Sequence, residues 1–249
     1  MLNNWLKIAF INYKKNWLST IINLFGLTIG LTGFMLILMH WNDEESYEKW
    51  NPKKDNIYAF QQYNKKENTY SPSISYPLAD RAVKMIPEIK DFVLFSGSGM
   101  GFKMATKNKT MYQKEGMTVS ENFFNFFPFK LISGSYKDAL KNENSLALST
   151  KAAKNLFGKT DVAGESVKFD GDNFVVTAVY ELPKENSVIK PEFVILAYEQ
   201  IKNDKESWGN FNYGCFFLLD KNANTETVQK KLELPYSDII EAVVTINFN

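Results

Sequence analysis

Residues 18–41, LSTIINLFGLTIGLTGFMLILMHW, contain no charged side chain. A helix of this length spans roughly 36 Å at about 1.5 Å per residue, enough for a hydrocarbon core of about 30 Å. A backbone in lipid must satisfy its own hydrogen bonds, and a helix does so within one segment. The stretch is expected to cross a membrane as an uncleaved anchor. A buried helix of a soluble core is the competing reading, and soluble helices this long and apolar are uncommon. A signal peptide fits poorly, because its apolar part runs for about 7–15 residues and ends in an A-x-A site, which does not follow here.

Charge gives the span a direction. Lys7, Lys14 and Lys15 are the only charged residues before position 42, so the first part carries +3 and the remainder −2 of the net +1. Lysines near one end of a span tend to stay cytoplasmic, whereas acids such as Asp43, Glu44, Glu45 and Glu48 have little influence. The N-terminus is expected inside, with residues 42–249 outside in a bacterial periplasm. A net of −2 there gives no electrostatic case for nucleic acid as a partner. Cys215 is the sole cysteine, so the external part must be stable without an internal disulfide. With 45% hydrophobic residues in the chain, packing can supply that stability.

Residues 1–17 precede the span. On a helical wheel Leu2, Trp5, Leu6, Ala9, Phe10, Tyr13 and Trp17 share one arc, and Lys7, Lys14, Lys15, Asn3 and Asn4 the other; Ile8 and Ile11 interrupt the polar side. This basic amphipathic pattern suits a membrane surface, and equally a cytosolic partner docked beside it. The candidate anchor or coupling face is Trp5, Leu6, Ala9, Tyr13 and Trp17. Inside the span, Gly26 and Gly30 form G-x-x-x-G, with Gly33 near the same face. Small residues there would let other membrane helices approach. His40, the only histidine, falls at the outer interface beside Trp41.

Downstream, patterning predicts a short helix over 44–50, a strand over 56–63, a loop at 72–77, a helix over 78–86 and a strand over 91–95. Gly97, Gly99 and Gly101 read as a flexible junction, since their spacing fits no phosphate loop. A hairpin follows (102–106 and 110–113), then a strand at 116–119 and a helix over 120–127 capped by Ser120. A strand at 145–148 leads to a helix over 150–157, capped by Ser149 and closed by Gly158. Asp170-Gly171 turns a second hairpin. Strands at 193–196 and 213–219, a helix at 225–232 and a strand at 239–248 complete the chain. Strand–helix–strand at both ends of a β-rich middle predicts an α+β protein in which one α/β unit holds an inserted β-rich unit. The expected divisions are 1–17, 18–41, 42–96, 97–210 and 211–249.

Catalytic signatures are missing. The single histidine lies at the membrane, which leaves no Ser-His-Asp or Cys-His arrangement for the external part. The sequence has no H-E-x-x-H, C-x-x-C, nucleophile elbow or Walker A loop. No enzymatic activity, cofactor or metal is expected.

W-L-K-I-A-F-I-N-Y-K-K-N, then I-I-N-L-F-G-L-T-I-G-L and D-E-E-S-Y-E-K-W, resemble the start of FtsX/MacB-like ABC transporter permeases, notably those of Bacteroidetes. N-I-Y-A at 56–59, the F-F-x-x-F-x-F-x-L-x-x-G pattern at 123–134 and N-S-L-A-L-S-T-K-A-A-K-N-L-F-G at 144–158 extend the likeness. So do V-A-G-E-S at 162–166, F-V-V-T-A-V-Y at 174–180 and P-K-E-N-S at 183–187. The order and spacing of these segments carry the resemblance, which reaches about residue 234. It implies a cytosolic amphipathic helix, a first membrane helix, and a periplasmic core of two parts, a porter with a sabre inserted. It also implies a separate cytosolic ABC ATPase subunit, a second permease copy or homologue, the lipid bilayer, and a periplasmic or outer-membrane protein as partners. Such permeases continue into three further membrane helices. This sequence has one span, so it reads as a fragment or half of a MacB/LolCDE-like permease. The alternative is a single-pass, membrane-anchored periplasmic binding or scaffold protein with no transport role.

Overall fold

A computed structural model describes residues 2–64, 68–233 and 241–247. Two compact units result, one ending at Ser46 and the other beginning at Tyr47. The first is helical: α1 (Leu2–Lys15) and α2 (Trp17–Ser46). Asn16 does not break the backbone pattern, because its amide donates to Asn12 and its carbonyl accepts from Thr20. No side chain of α2 is buried.

The second unit contains β1 (Ile57–Asn64), β2 (Thr69–Ser71), β3 (Ser73–Ile74), α3 (Tyr76–Met85), β4 (Ile89–Ala105) and β5 (Thr110–Val119). Next come α4 (Phe123–Phe126), β6 (Leu131–Gly134), β7 (Ser145–Ser149), α5 (Thr150–Phe157), β8 (Ser166–Phe169) and β9 (Asp172–Tyr180). The last are β10 (Phe193–Leu196), α6 (Tyr198–Asp204), β11 (Tyr213–Leu219), α7 (Thr225–Glu233) and β12 (Glu241–Asn247). The strands join one sheet in the order β12-β1-β11-β4-β5-β10-β7-β9-β6, with β2 beside β1, β3 beside β11, and β8 bridging β4 and β9. Pairing is antiparallel except at β5–β10 and β7–β9. Helices and a mainly antiparallel sheet make the protein α+β, as the sequence predicts.

Strand alternation explains why the centre of the sheet is covered on both faces. Successive side chains of a strand point to opposite sides. On β11, Cys215 and Phe217 join Leu94, Phe60 and the apolar sides of α3 and α7 (Leu78, Ala82, Val228, Leu232). Phe216, between them, joins Val93, Ile57 and the phenylalanines around α4 on the other side. A third cluster forms where α5 lays Ala152, Ala153 and Leu156 over Leu146, Leu148, Val176 and Phe193.

Local signals set both ends of α5. Ser149 Oγ accepts the Ala152 amide at 3.0 Å, and Gly158 closes the helix with φ +75°. Losing an N-cap hydroxyl typically costs about 1 kcal/mol, and Ser149 is fully buried. We expect Ser149→Ala to destabilise the protein by about 1–2 kcal/mol in chemical denaturation. The Asp170-Gly171 turn also forms as predicted, with both residues at positive φ (+48° and +108°), the geometry that the right-handed strand twist favours in two-residue hairpins.

Several segments differ from expectation; the loop expected at 72–77 holds β3 and the start of α3, which begins at Tyr76. The glycine-rich stretch 97–101 does not leave the sheet. It remains in β4, and the register against β5 shifts between Ser96 and Met100 and again between Met100 and Phe102. The glycines thus accommodate bulges inside a long strand. The helix expected over 120–127 contracts to Phe123–Phe126, because Ser120 is used elsewhere: its Oγ accepts the Leu94 amide and donates to Asn122. The helix expected over 44–50 is split: α2 continues to Ser46, and the chain then turns through Glu48 at φ +53°. The ends of the strand expected over 239–248 lie outside the described residues.

Candidate functional site

The helical unit holds every candidate site residue predicted from sequence. Trp5, Tyr13 and Trp17 are exposed, at 76%, 62% and 61%, and Leu6 and Ala9 lie within α1. Gly26, Gly30 and Gly33 lie on α2, and a Cβ added to any of them would meet nothing within 4 Å. The structure therefore brings none of the three against another element among the described residues. Thr20 and Thr28 return their hydroxyls to the carbonyls of Asn16 and Leu24, which satisfies polar atoms inside an apolar helix. By length and composition α2 is suited to cross a membrane.

The segment following α2 is a site that the sequence did not reveal. Glu48 is only 1% exposed. Its amide donates to the Asn186 carbonyl at 2.9 Å, and its Oε1 accepts from the Ser187 hydroxyl and the Val188 amide, both at 2.7 Å. Oε2 is buried without a partner. Trp50 stacks on Phe129, with centroids 4.7 Å apart and planes 15° apart. Asn51 donates its side-chain amide to the Phe126 carbonyl at 3.0 Å and accepts the Lys53 amide. Three residues of this segment, Glu48, Trp50 and Asn51, are thus tied to the 186–188 loop and to the aromatic cluster. Glu48 stood in the sequence as one acid in a run of four. The hint of its different role was its neighbour Trp50, an apolar ring before a chain-turning Asn51-Pro52.

Other ionisable groups are structural. Glu192 is buried and accepts from Gln113 and Lys151, tying β5 and α5 to the start of β10; this bond holds the Lys151 ammonium above its usual range. Burial pushes up the Cys215 thiol, which keeps it protonated and unreactive. The Tyr180 hydroxyl, buried and donating to the Pro191 carbonyl at 2.7 Å, is raised likewise. Among the described residues no group of three or more His, Cys, Asp or Glu side chains is placed to hold a metal.

A span-sized apolar helix is thus followed by an α+β domain whose sheet is covered on both faces. The chain belongs to the MacB-like periplasmic core domain family, whose model matches residues 20–234. Solved structures agree with this fold. A domain of a protein described as a permease from Porphyromonas gingivalis shares 17% identity, with a TM-score of 0.67 over 80% of this chain and 94% of that one. The periplasmic region of MacB from Actinobacillus actinomycetemcomitans shares 15%, with a TM-score of 0.55 over 78% and 89%. The extracellular domain of the noncanonic ABC-type transporter YknZ from Gram-positive bacteria shares 14%, with a TM-score of 0.55 over 77% and 100%. A search of curated proteins returned no match.

Proposed function

We propose that the chain is a permease subunit, or a piece of one, of a MacB/LolCDE-like ABC transporter. In this reading α1 lies at the cytosolic face and α2 crosses the inner membrane once, with residues 42–249 in the periplasm. A separate cytosolic ATPase supplies the driving force, and a second permease copy or homologue completes the membrane part. Motion of α2 reaches the external domain through residues 47–51. Export, lipoprotein release and mechanotransmission to a periplasmic or outer-membrane partner all remain compatible with this arrangement. We further assign 42–96 and 211–249 to a porter-like part, and 97–210 to a sabre-like insertion.

The observation that carries the reading is the span of the family match. It begins inside the apolar helix and covers the external domain almost to its end, so helix and domain belong together as one functional unit. Small residues on a membrane helix allow close backbone approach. Gly26, Gly30 and Gly33 are open positions on α2, and they are assigned to contacts with other membrane helices. The test is affinity purification of the tagged chain from its native membrane. Recovery of a Walker A-containing ATPase is expected, and Gly26→Leu with Gly30→Leu should reduce that recovery severalfold. Absence of any ATPase would overturn the permease reading. Undiminished recovery by the double variant would assign that helix face to lipid.

A further inference from the structure

A cleft of about 470 Å³ opens between the start of α3, β4, the turn before α4, and α6. This lies within the range of about 300–1,000 Å³ usual for small-molecule sites. Its apolar surface comes from Tyr76 and Phe92, packed edge to face at 6.0 Å, with Leu196 and Ile201 opposite. The base is built from a continuous hydrogen-bond network. Asp91 Oδ1 accepts from the Phe92 amide at 2.8 Å and from Asn122 Nδ2 at 3.0 Å, while Asn122 Nδ2 also donates to the Phe92 carbonyl. Asn122 Oδ1 in turn accepts from Ser120, which is held by the Leu94 amide. The far wall is fixed at the end of α6, where Asp204 accepts from Tyr213 at 2.6 Å and from Asn210 at 2.7 Å. Locked supporting residues of this kind hold a site in a single geometry.

Opposite charges line this cleft without neutralising each other. Asp91 Oδ2 and the Glu121 carboxylate accept no hydrogen bond and form no ion pair among the described residues, and neither does the Lys205 ammonium. Lys202, at the rim, is occupied by Glu199 and lies over the Tyr198 ring. The lining is therefore balanced in charge, with acids on β4 and the turn before α4, an unpaired ammonium just after α6, and two rings beside them. A polyanion would meet the two carboxylates, and an organic cation would meet the lysines. A zwitterion with an apolar body satisfies both walls.

We propose that this cleft binds a short peptide with free termini. Its ammonium pairs with Asp91 and Glu121, its carboxylate pairs with Lys205, and a side chain rests on Tyr76 and Phe92. Binding of this kind does not depend on the chain's role in transport, so it is measured on the purified full chain in nanodiscs. The probe is a panel of free dipeptides Ala-X read by saturation-transfer NMR and calorimetry, with N-acetylated, C-amidated counterparts. At least one free dipeptide should bind saturably. Glu121→Gln and Lys205→Gln, both at exposed positions, should each weaken it about tenfold, and capping both termini should abolish it. Asp91→Asn serves as a third variant, accompanied by a melting curve because Asp91 also supports the base. No saturable binder in the panel, equal binding of capped peptides, or indifference to both Glu121→Gln and Lys205→Gln would overturn the proposal.

Discussion

Phe129→Ala should destabilise the α+β domain by about 4 kcal/mol. Truncating a buried phenylalanine usually costs about 3–5 kcal/mol, from lost transfer energy and the cavity left behind. Phe129 is 1% exposed and is stacked between two rings, Trp50 at 4.7 Å and Tyr180 at 5.3 Å. Each aromatic pair adds roughly 0.5–1.5 kcal/mol beyond its area, which places the expected loss in the upper half of the range. Denaturation followed by tryptophan fluorescence reads the change. It should also move the emission of Trp50 in the native state, since that ring loses its stacking partner. Phe129→Leu keeps most of the volume and should cost less than half as much. A loss below about 1 kcal/mol for the alanine variant would mean that the cluster closes around the gap.

Glu48→Ala is the second large effect, expected at about 3 kcal/mol. The substitution leaves the Val188 amide without its acceptor and the Ser187 hydroxyl with only the Ile189 carbonyl. An unsatisfied buried partner costs about 1–3 kcal/mol. Glu48→Gln discriminates between geometry and charge. It retains an acceptor at the Oε1 position and removes a buried carboxylate whose second oxygen has no partner. The amide oxygen keeps both donors satisfied, and a neutral hydrogen bond is weaker than a charged one by only about 1 kcal/mol, so the glutamine variant should stay within about 1 kcal/mol of the parent. Hydrogen exchange at the Val188 amide provides a local reading: fast in Glu48→Ala, protected in Glu48→Gln. Equal losses in the two variants would show that the charge itself holds the segment.

These residues also show where sequence reasoning reached and where it stopped. The apolar span, the Ser149 and Gly158 caps and the Asp170-Gly171 turn are encoded by residues a few positions apart, so each was legible from its own neighbourhood. The path of β4 through Gly97, Gly99 and Gly101 was not, because what keeps that stretch extended is the strand opposite. Ser120 sits in a good capping position by local rules and is drawn away by Leu94, 26 residues earlier. Glu48 is the extreme case, meeting Ser187 and Val188 across 139 and 140 positions. The resemblance to MacB-like permeases identified the family from the order of short segments. It did not single out Glu48 or the cleft, whose walls come from four separate parts of the chain.

The sheet order has a consequence in time. β1, about ten residues beyond α2, finds its neighbours in β11 and β12, so about 150 residues must be made between β1 and the first of them. At about 5–20 residues per second, β1 waits roughly 8–30 s as an open edge before β11 exists to cover it. Open edges are templates for wrong pairing. β2 already lies against the far half of β1, at Gln62, Tyr63 and Asn64, which gives the strand a local companion during that interval. The stretch Ile57–Ala59, which pairs with Leu218–Phe216, has no such cover. Until β11 is made, it stays open to a chaperone or to wrong pairing.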